Sequence, residues 1–434
     1  MPFTSSRYDK FVTQNELITD VIIIGAGPAG CASAIELANQ GLQVIMLDKA
    51  KFPRDKCCGD GLTTDALRIL EDLGLKTNAI TNWNTVTDAV IFSPKGHRSQ
   101  LPLPNKQGQF AAVVPRLELD AELLQLARLA GVHIEISMSF SKIVQHQEYV
   151  SITSSDGRTL HSRYVVAADG MWSSVRKAVG GGVEKYRGDW HAFRQYFSNT
   201  GAEAQHLTVW FEPDLLPGYV WLFPLPGQRA NFGFGILRDH SHRIQEMGKL
   251  WQEILERPRI RNILGESAVP EGTHKAWPIP TRMKSLEPGK QRVLFVGDAI
   301  GVADPMTGEG IAQALHTGRL AAKAIIKAGP LENEKAQETY KKSLRLNLGH
   351  DHQFAERLQS LLVRPETTEI ALKIANTNNW TRRNFARWMF EDYPRALVLT
   401  PSRWKKGMFS QEGAYQEDKL KKSDIDDRMI FAKE

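Results

Sequence analysis

The sequence predicts a mixed α/β protein: a doubly wound parallel-sheet domain for a dinucleotide, a separate and mostly antiparallel β-sheet domain, and C-terminal helices. Three observations carry this. The apolar run Val21-Ile22-Ile23-Ile24 leads directly into Gly25-Ala26-Gly27-Pro28-Ala29-Gly30 and then into a helix-like stretch. A second glycine-rich segment, Gly297-Asp298-Ala299-Ile300-Gly301, continues through Asp304-Pro305 to Gly308-Glu309-Gly310-Ile311. Between the two, Trp190 to Trp277 is strand-rich, with apolar alternation in His206 to Phe211 and Asn231 to Leu237.

Taken in order, residues 21–48 read as strand, helix and strand, the opening unit of a Rossmann-type fold. Thr63 to Leu75 reads as a helix, with Leu67, Ile69, Leu70 and Leu73 spaced to bury one face. Ala89 to Leu103 shifts to short strands broken by Pro94-Lys95-Gly96 and Pro102. Leu117 to Ala130 is a helix opened by Glu118 and Asp120 and ended by Gly131. A hairpin turns at Asp156-Gly157, and the apolar strand Tyr164 to Ala168 ends in Asp169-Gly170. Residues 331–400 read as mainly helical. The expected division is 1–80, 105–180 and 288–330 for the nucleotide-binding domain and 81–104 with 181–287 for the second sheet. Residues 331–405 form the helical region, and 406–434 a loosely ordered polar tail carrying Lys421-Lys422 and Asp424 to Asp427.

The first glycine segment sits where a backbone must approach a pyrophosphate closely, at a helix N-terminus that supplies N–H groups and a positive dipole end. Asp48, with Lys49 after it, closes the next strand-like run, the expected place for a carboxylate that accepts hydrogen bonds from a ribose. In the second segment Val293 to Val296 reads as a buried strand, Gly297 permits a turn, and Asp298 is placed to hold a ribitol hydroxyl. Gly308, Gly310 and Ile311 then open a helix toward a flavin ring edge. A nicotinamide-only enzyme has no need of this distant element. FAD, clasped at both its adenosine and flavin ends, does, so the cofactor expected is FAD.

Composition is that of an ordinary globular chain, with 42% hydrophobic and 24% charged residues. The net charge of +6, from 55 basic and 49 acidic residues, is too dilute to argue for nucleic acid. Cys31, Cys57 and Cys58 make no disulfide framework, and a reducing, cytoplasmic setting is expected. Met1 to Thr19 is polar without an apolar core, so no secretory signal is expected. No run approaches the roughly 18 apolar residues of a membrane span. No metal-ligand spacing stands out.

Asp169-Gly170-Met171-Trp172, after a strand and before a helix, resembles an element of flavin monooxygenases and their reductase relatives. Arg116, after Val113-Val114-Pro115, resembles the arginine those enzymes place near the cofactor. The bare chemical alternatives are a helix cap for Asp169 and a surface ion pair for Arg116. The resemblance implies a Rossmann-type FAD-binding domain of the glutathione-reductase-like, flavin-monooxygenase-like kind. Two further segments narrow it: Phe52-Pro53-Arg54-Asp55-Lys56-Cys57-Cys58-Gly59-Asp60-Gly61-Leu62, and Pro217-Gly218-Tyr219-Val220-Trp221-Leu222-Phe223-Pro224. Both resemble the geranylgeranyl reductase family, flavoproteins that saturate isoprenoid double bonds, and in particular its menaquinone-reducing branch. The resemblance spans roughly residues 18–330. It departs where the family has a proline three residues before the tyrosine and this chain has Leu216, with Pro217 next.

Alternation puts Tyr219, Trp221 and Phe223 on one face of a strand, a wall that can bury hydrocarbon at about 25 cal/mol per Å². Gly59 and Gly61 allow close backbone approach to a flavin, and the Cys58 thiol can face the pocket. An isolated isoprene double bond cannot stabilise the charge left by hydride attack, so a proton must arrive at the other carbon almost simultaneously. Tyr219 and Cys58 are the candidates to donate or relay it, with a water as the alternative, and the resemblance supports Tyr219, Trp221 and Phe223 as substrate-binding. Only one full dinucleotide fingerprint is present, so electrons are expected from a transiently docked NAD(P)H or from a carrier protein.

The rival reading is an FAD-dependent monooxygenase of a hydrophobic substrate. A halogenase would want Trp-x-Trp-x-Ile-Pro where this chain has Tyr219, Trp221 and Phe223. A non-catalytic electron-transfer module would not need the aromatic wall. Between Trp380 and Lys406, seven basic residues (Arg382, Arg383, Arg387, Arg395, Arg403, Lys405, Lys406) face two acidic ones, Glu391 and Asp392. They are interleaved with Trp380, Phe385, Trp388, Met389, Phe390 and Trp404. That mixture suits the headgroups of an anionic bilayer, which implies peripheral contact at the inner face of the plasma membrane beside a prenylated lipid substrate; the alternative is a solvated helix whose aromatics pack on the flavin domain.

Overall fold

The computed structural model describes residues 18–416, apart from 105–106, 183–184, 239–245 and 405. The polar N-terminus up to residue 17, Lys405 and the charged tail from 417 onward lie outside the described residues. The chain folds as β1 (Ile18–Ile24), α1 (Pro28–Ala38) and β2 (Val44–Asp48) at its start. Both strands enter a larger sheet in parallel register, with Ile23 opposite Met46 and Val166. Val21, Ile22 and Ile23 are fully buried, as a central parallel strand covered on both faces requires.

That sheet runs in the order Gly289–Lys290, Val293–Phe295, Thr159–Ala167, β1, β2 and His133–Ile136, with the hairpin strands Phe140–Gln145 and Val150–Ser154 beside Thr159–Ala167. After β1 the chain moves to one side through β2, and returns on the other side as Thr159–Ala167. The crevice beyond the C-terminal ends of these two flanking strands is the topological switch point, the usual ligand position in open parallel sheets. Here Gly25 adopts φ +106°, and a Cβ on it would stand 2.3 Å from the Ala168 carbonyl oxygen. No other residue fits this crossing.

The second sheet has the order Val269–Ile279, Trp190–Ser198, Arg229–Leu237, Tyr219–Leu225, Leu207–Trp210, Asp88–Phe92 and Arg98–Pro102. All its pairs are antiparallel except Leu207–Trp210 with Asp88–Phe92. Residues near 90 and near 210 thus share one sheet. Two helices, Met247–Glu256 and Pro258–Leu264, interrupt the strand-rich region and were not foreseen. Their buried Leu250, Trp251, Ile254 and Ile260 cover one face of the sheet, where Trp251 meets Phe232 and Phe234.

The two glycine segments, some 270 residues apart, are joined by helix packing. The Ile311–Ala328 helix crosses α1 so closely that a Cβ on Gly318 would lie 2.1 Å from the Ala29 carbonyl oxygen. Backbone contact of this kind needs small residues on both partners, and α1 presents Ala29, Ala32 and Ser33. Gly297 N–H donates to Thr317 Oγ1 at 2.9 Å, locking the turn onto the same helix.

The stretch 406–416 corrects the expectation of a loose tail. Gln109 pairs with Ala414 in an isolated β-bridge, and Tyr415 is buried edge-on against Trp83. Met408, Ala414 and Tyr415 supply the burial that a composition-based reading of a polar segment averages away.

Candidate active site

One cavity of about 730 Å³ opens at the switch point and runs from the strand ends of the parallel sheet to the face of the antiparallel one. Of the residues singled out in the sequence, Gly25, Gly27, Pro28, Ala29, Asp48, Lys49, Cys58, Gly59, Arg116, Asp169 and Gly170 line it. So do Tyr219, Trp221, Phe223, Gly297, Asp298, Gly308, Gly310 and Ile311. Gly30 and Pro305 do not. Gly30 is a packing glycine, since a Cβ there would stand 1.9 Å from the Gly25 carbonyl oxygen. Pro305 contributes its carbonyl to Trp190 Nε1, at 3.0 Å, and to Gln359.

The donor set fits an elongated dinucleotide. Two helix N-termini, those of α1 at Gly27 and of Ile311–Ala328 at Gly310, carry no side-chain cap and open into this same cavity. Free N–H groups at both ends suit a phosphate at one and an electron-rich ring edge at the other. The position of a Cβ on Gly27 is clear of everything but Arg54 Nη2, 3.7 Å away, so the Arg54 guanidinium overhangs the phosphate turn. Asp169 has one oxygen, Oδ1, buried without a partner on the cavity wall. Its Oδ2 accepts from Ser174 Oγ (3.1 Å) and Val175 N (3.0 Å), so the capping alternative and the cavity position hold together.

Two expected roles change in detail. Asp48 Oδ2 accepts from Ala26 N and Oδ1 from Ala50 N, both at 2.7 Å, so the carboxylate first ties the glycine turn to β2. Each oxygen retains a second acceptor site for a ribose hydroxyl. Arg116 is not a surface residue. It is buried in a two-pronged pair with Asp120, Nε to Oδ1 at 2.7 Å and Nη2 to Oδ2 at 2.8 Å, and Arg54 joins the same carboxylate at 3.0 Å. Removing one partner from such a buried pair costs about 3–5 kcal/mol.

In the centre of the cavity the Cys58-Gly59 loop is held from behind. Asn231 Nδ2 donates to the Cys58 carbonyl (2.9 Å) and to Asp60 Oδ2 (2.8 Å), while its Oδ1 accepts from Trp221 Nε1 (3.1 Å). Arg194 Nε adds a bond to the Cys58 carbonyl at 3.2 Å and Nη2 pairs with Asp55 at 2.6 Å. Asp60, fully buried, also accepts from Tyr196 and from Arg116 N. Burial still pushes its carboxyl up to about 6. The space beside Gly59 and Gly61 is filled by rings: Phe223 would stand 3.1 and 3.0 Å from the respective Cβ atoms. These glycines admit the aromatic wall, a packing role beside the approach to a flavin expected of them.

Trp221 and Phe223 are buried, with ring centroids 6.2 Å apart, and Tyr219 stands 6.0 Å from Trp221. The Tyr219 hydroxyl donates to the Thr307 carbonyl, and burial raises it well above its ordinary range. Burial likewise pushes the Cys58 thiol up to about 12, so it is held as the thiol. Two cavity groups escaped the sequence reading. Lys56 lies with Nζ 3.7 Å over the Trp277 ring, and burial draws its ammonium down to about 8. Glu309 is pushed up to about 8, first by burial and then by the Glu391 carboxylate. The signal for Glu309 lies in its place between Gly308 and Gly310, and that for Lys56 in the charged run Arg54-Asp55-Lys56 just ahead of Cys58-Gly59.

Three cations of the basic segment after Trp380 are ion-paired. Arg387 and Arg395 are buried, the first against Asp392 and the second against Asp304 (3.1 Å) and Glu391 (3.2 Å). Arg403 pairs with Asp351 at 2.8 Å. Arg395 thereby ties the C-terminal region to Asp304 of the cavity-bearing core, while Arg387 and Arg403 are paired within that region, which corrects the reading of these three cations as headgroup-facing. Exposed apolar groups remain at Ile370, Ile374, Trp380 and Trp404.

The geometry thus defines a flavin-dependent oxidoreductase. Residues 18–341 match the FAD binding domain family, and the chain belongs to it. Within that class it is a member of the geranylgeranyl reductase family. It is 30% identical over 365 residues to the menaquinone reductase of Mycobacterium tuberculosis, covering 80% of this chain and 84% of that one. It is 26% identical over 348 residues to the digeranylgeranylglycerophospholipid reductase of Methanosarcina mazei, covering 76% and 82%. The fold is shared with a geranylgeranyl bacteriochlorophyll reductase-like protein of Thermoplasma acidophilum, with TM-score 0.74, 21% identity and coverage of 90% and 100%.

Proposed function

We propose that this chain saturates carbon–carbon double bonds of an isoprenoid chain, carried either on menaquinone or as a geranylgeranyl group. The observation that carries the reading is a single cavity in which two uncapped helix ends meet an aromatic wall. The names of its relatives support the same substrate class. Gly25, Gly27, Pro28, Ala29, Asp48, Lys49, Arg116, Asp169, Gly170, Gly297, Asp298, Gly308, Gly310 and Ile311 would hold FAD. When bound and reduced, FAD supplies a hydride.

Trp221 and Phe223 would bury the hydrocarbon and exclude water, with Tyr219 fixing the neighbouring backbone through its bond to Thr307. The Asn231–Asp60–Arg194 network keeps the Cys58-Gly59 loop against that wall. Electrons would come from docked NAD(P)H or a carrier protein. No helix among the described residues is long and apolar enough to cross a membrane. The exposed Ile370, Ile374, Trp380 and Trp404 would instead give peripheral contact with the bilayer that holds the substrate.

Mass spectrometry of quinones and prenyl lipids from the native organism, with and without this gene, tests the reading. Loss of species carrying two extra hydrogens per reduced bond supports it and names the lipid. Unchanged saturation with a missing oxygenated product would move the assignment to a monooxygenase.

A further inference from the structure

Saturation of an isolated double bond needs a proton source inside the cavity, and the candidate groups are unequal. The Tyr219 hydroxyl is committed to the Thr307 carbonyl. Cys58 is a buried thiol held against losing its proton. Lys56 stacks on Trp277, with Asp298 and Arg116 as its charged neighbours, and is committed to that ring. Glu309 stands beside Phe223. The point where a Cβ on Gly61 would sit is 3.8 Å from Glu309 Oε1 and 3.0 Å from the Phe223 ring, so carboxyl and aromatic wall meet there. Among the described residues the Glu309 carboxyl takes no hydrogen bond, which leaves its proton available to a ligand in the cavity.

Behind Glu309 lies a second, polar cavity of about 230 Å³, lined among others by Asp65, Asp304, Gln313, His316, Glu391 and Arg395. Gln313 Nε2 donates to Glu391 Oε1 at 2.9 Å, and Arg395 Nη2 reaches the same oxygen at 3.2 Å. His316 Nε2 and Asp65 Oδ2 are 2.6 Å apart, and both side chains are partly exposed. A polar space of this size can hold water that bridges such groups. Glu391 lines this cavity and is also the charged group that acts most strongly on Glu309.

We propose that Glu309 is the proton donor to the substrate double bond, and that the polar cavity behind it returns the proton from solvent by way of His316, Asp65 and Glu391. The hydride forms one new C–H bond. The alkene π pair forms the other with the Glu309 proton as the Oε–H bond breaks. The alkene gains two electrons, supplied by the reduced cofactor, and Glu309 is left as a carboxylate that takes up a proton through the second cavity. The groups that face Glu309 explain why it keeps a proton near neutrality. Burial comes first, then Glu391, whose own carboxyl is raised by burial, then the opposing Arg395, then Asp304 and Asp60, while Tyr219 and Cys58 are neutral.

This donor role rests on the reductase reading, so the test has one arm that does not. In the infrared difference between wild type and Glu309→Gln, recorded without substrate, a protonated carboxyl band should be present at pH 6 and fade with a midpoint near pH 8. A carboxylate already ionised at pH 6 overturns the proposal whether or not the enzyme reduces isoprenoids. In single turnovers Glu309→Gln should bind and reduce its flavin normally yet transfer to the alkene on the order of 10²-fold more slowly, with Glu309→Asp recovering part of the rate. Transfer within threefold of wild type in Glu309→Gln overturns the donor role and leaves the reductase reading intact. Failure of wild type to saturate any isoprenoid sinks that reading instead, and the donor role with it.

Discussion

The two sheets build opposite halves of one cavity by different means. On the parallel side the cavity wall is mostly backbone. Uncapped helix ends and glycines in close crossings set its shape, and Gly25, Gly30 and Gly318 tolerate no side chain. On the antiparallel side the wall is side chain: Trp221 and Phe223 in front, with Asn231, Asp60 and Arg194 behind. A backbone site binds one cofactor and fails all at once when a Cβ is added. A side-chain wall should change substrate handling by degrees.

The largest effect should therefore come from the smallest substitution. Gly30→Ala puts a methyl 1.9 Å from the Gly25 carbonyl oxygen, and the purified protein should contain almost no flavin by absorbance. Near-stoichiometric flavin would break the contrast at its strongest point. Next, Asn231→Leu strips donors from the Cys58 carbonyl and the buried Asp60 carboxylate, and denaturant unfolding should show a loss of about 3 kcal/mol. Phe223→Ala should keep its flavin while KM for an isoprenoid rises on the order of 10-fold, the worth of one buried ring. Loss of flavin in that variant would show the halves are not separable.

A pH effect sharpens the comparison further. Glu309 is pushed up to about 8 in the folded protein from an ordinary value near 4.5. The unfolded chain releases that proton first, so this group's contribution to stability is full below about pH 4.5. It is lost as pH rises to about 8. The melting temperature of wild type relative to Glu309→Gln should fall across that window, and a flat difference would contradict the shift. The smallest effect is expected for Cys58→Ser. The thiol is held protonated up to about 12 and its loop is fixed through its carbonyl, so turnover should stay within about tenfold of wild type.

The difference between the halves also explains what could be read from sequence. Backbone sites leave local signatures, and both glycine segments with their flanking strands were legible for that reason. Side-chain networks assemble residues from distant strands. Nothing near Asn231 announces that it joins Trp221 to Cys58 and Asp60. The Met247–Glu256 helix was hidden by its strand-rich surroundings, although Leu250, Trp251 and Ile254 already had helical spacing. The basic segment after Trp380 misled for a related reason. Local charge was visible, whereas the partners of Arg395 and Arg403, Asp304 and Asp351, lie far away in sequence.

The central claim is that this single cavity carries hydride chemistry to an unsaturated chain without oxygen. Anaerobic single turnover of the pre-reduced holoenzyme with an unsaturated menaquinone or geranylgeranyl lipid tests it most directly, following flavin absorbance and product mass together. The account predicts reoxidation of the flavin in step with a product that has gained two hydrogens. Flavin that stays reduced until oxygen is admitted, and then yields a product with one added oxygen atom, would contradict it.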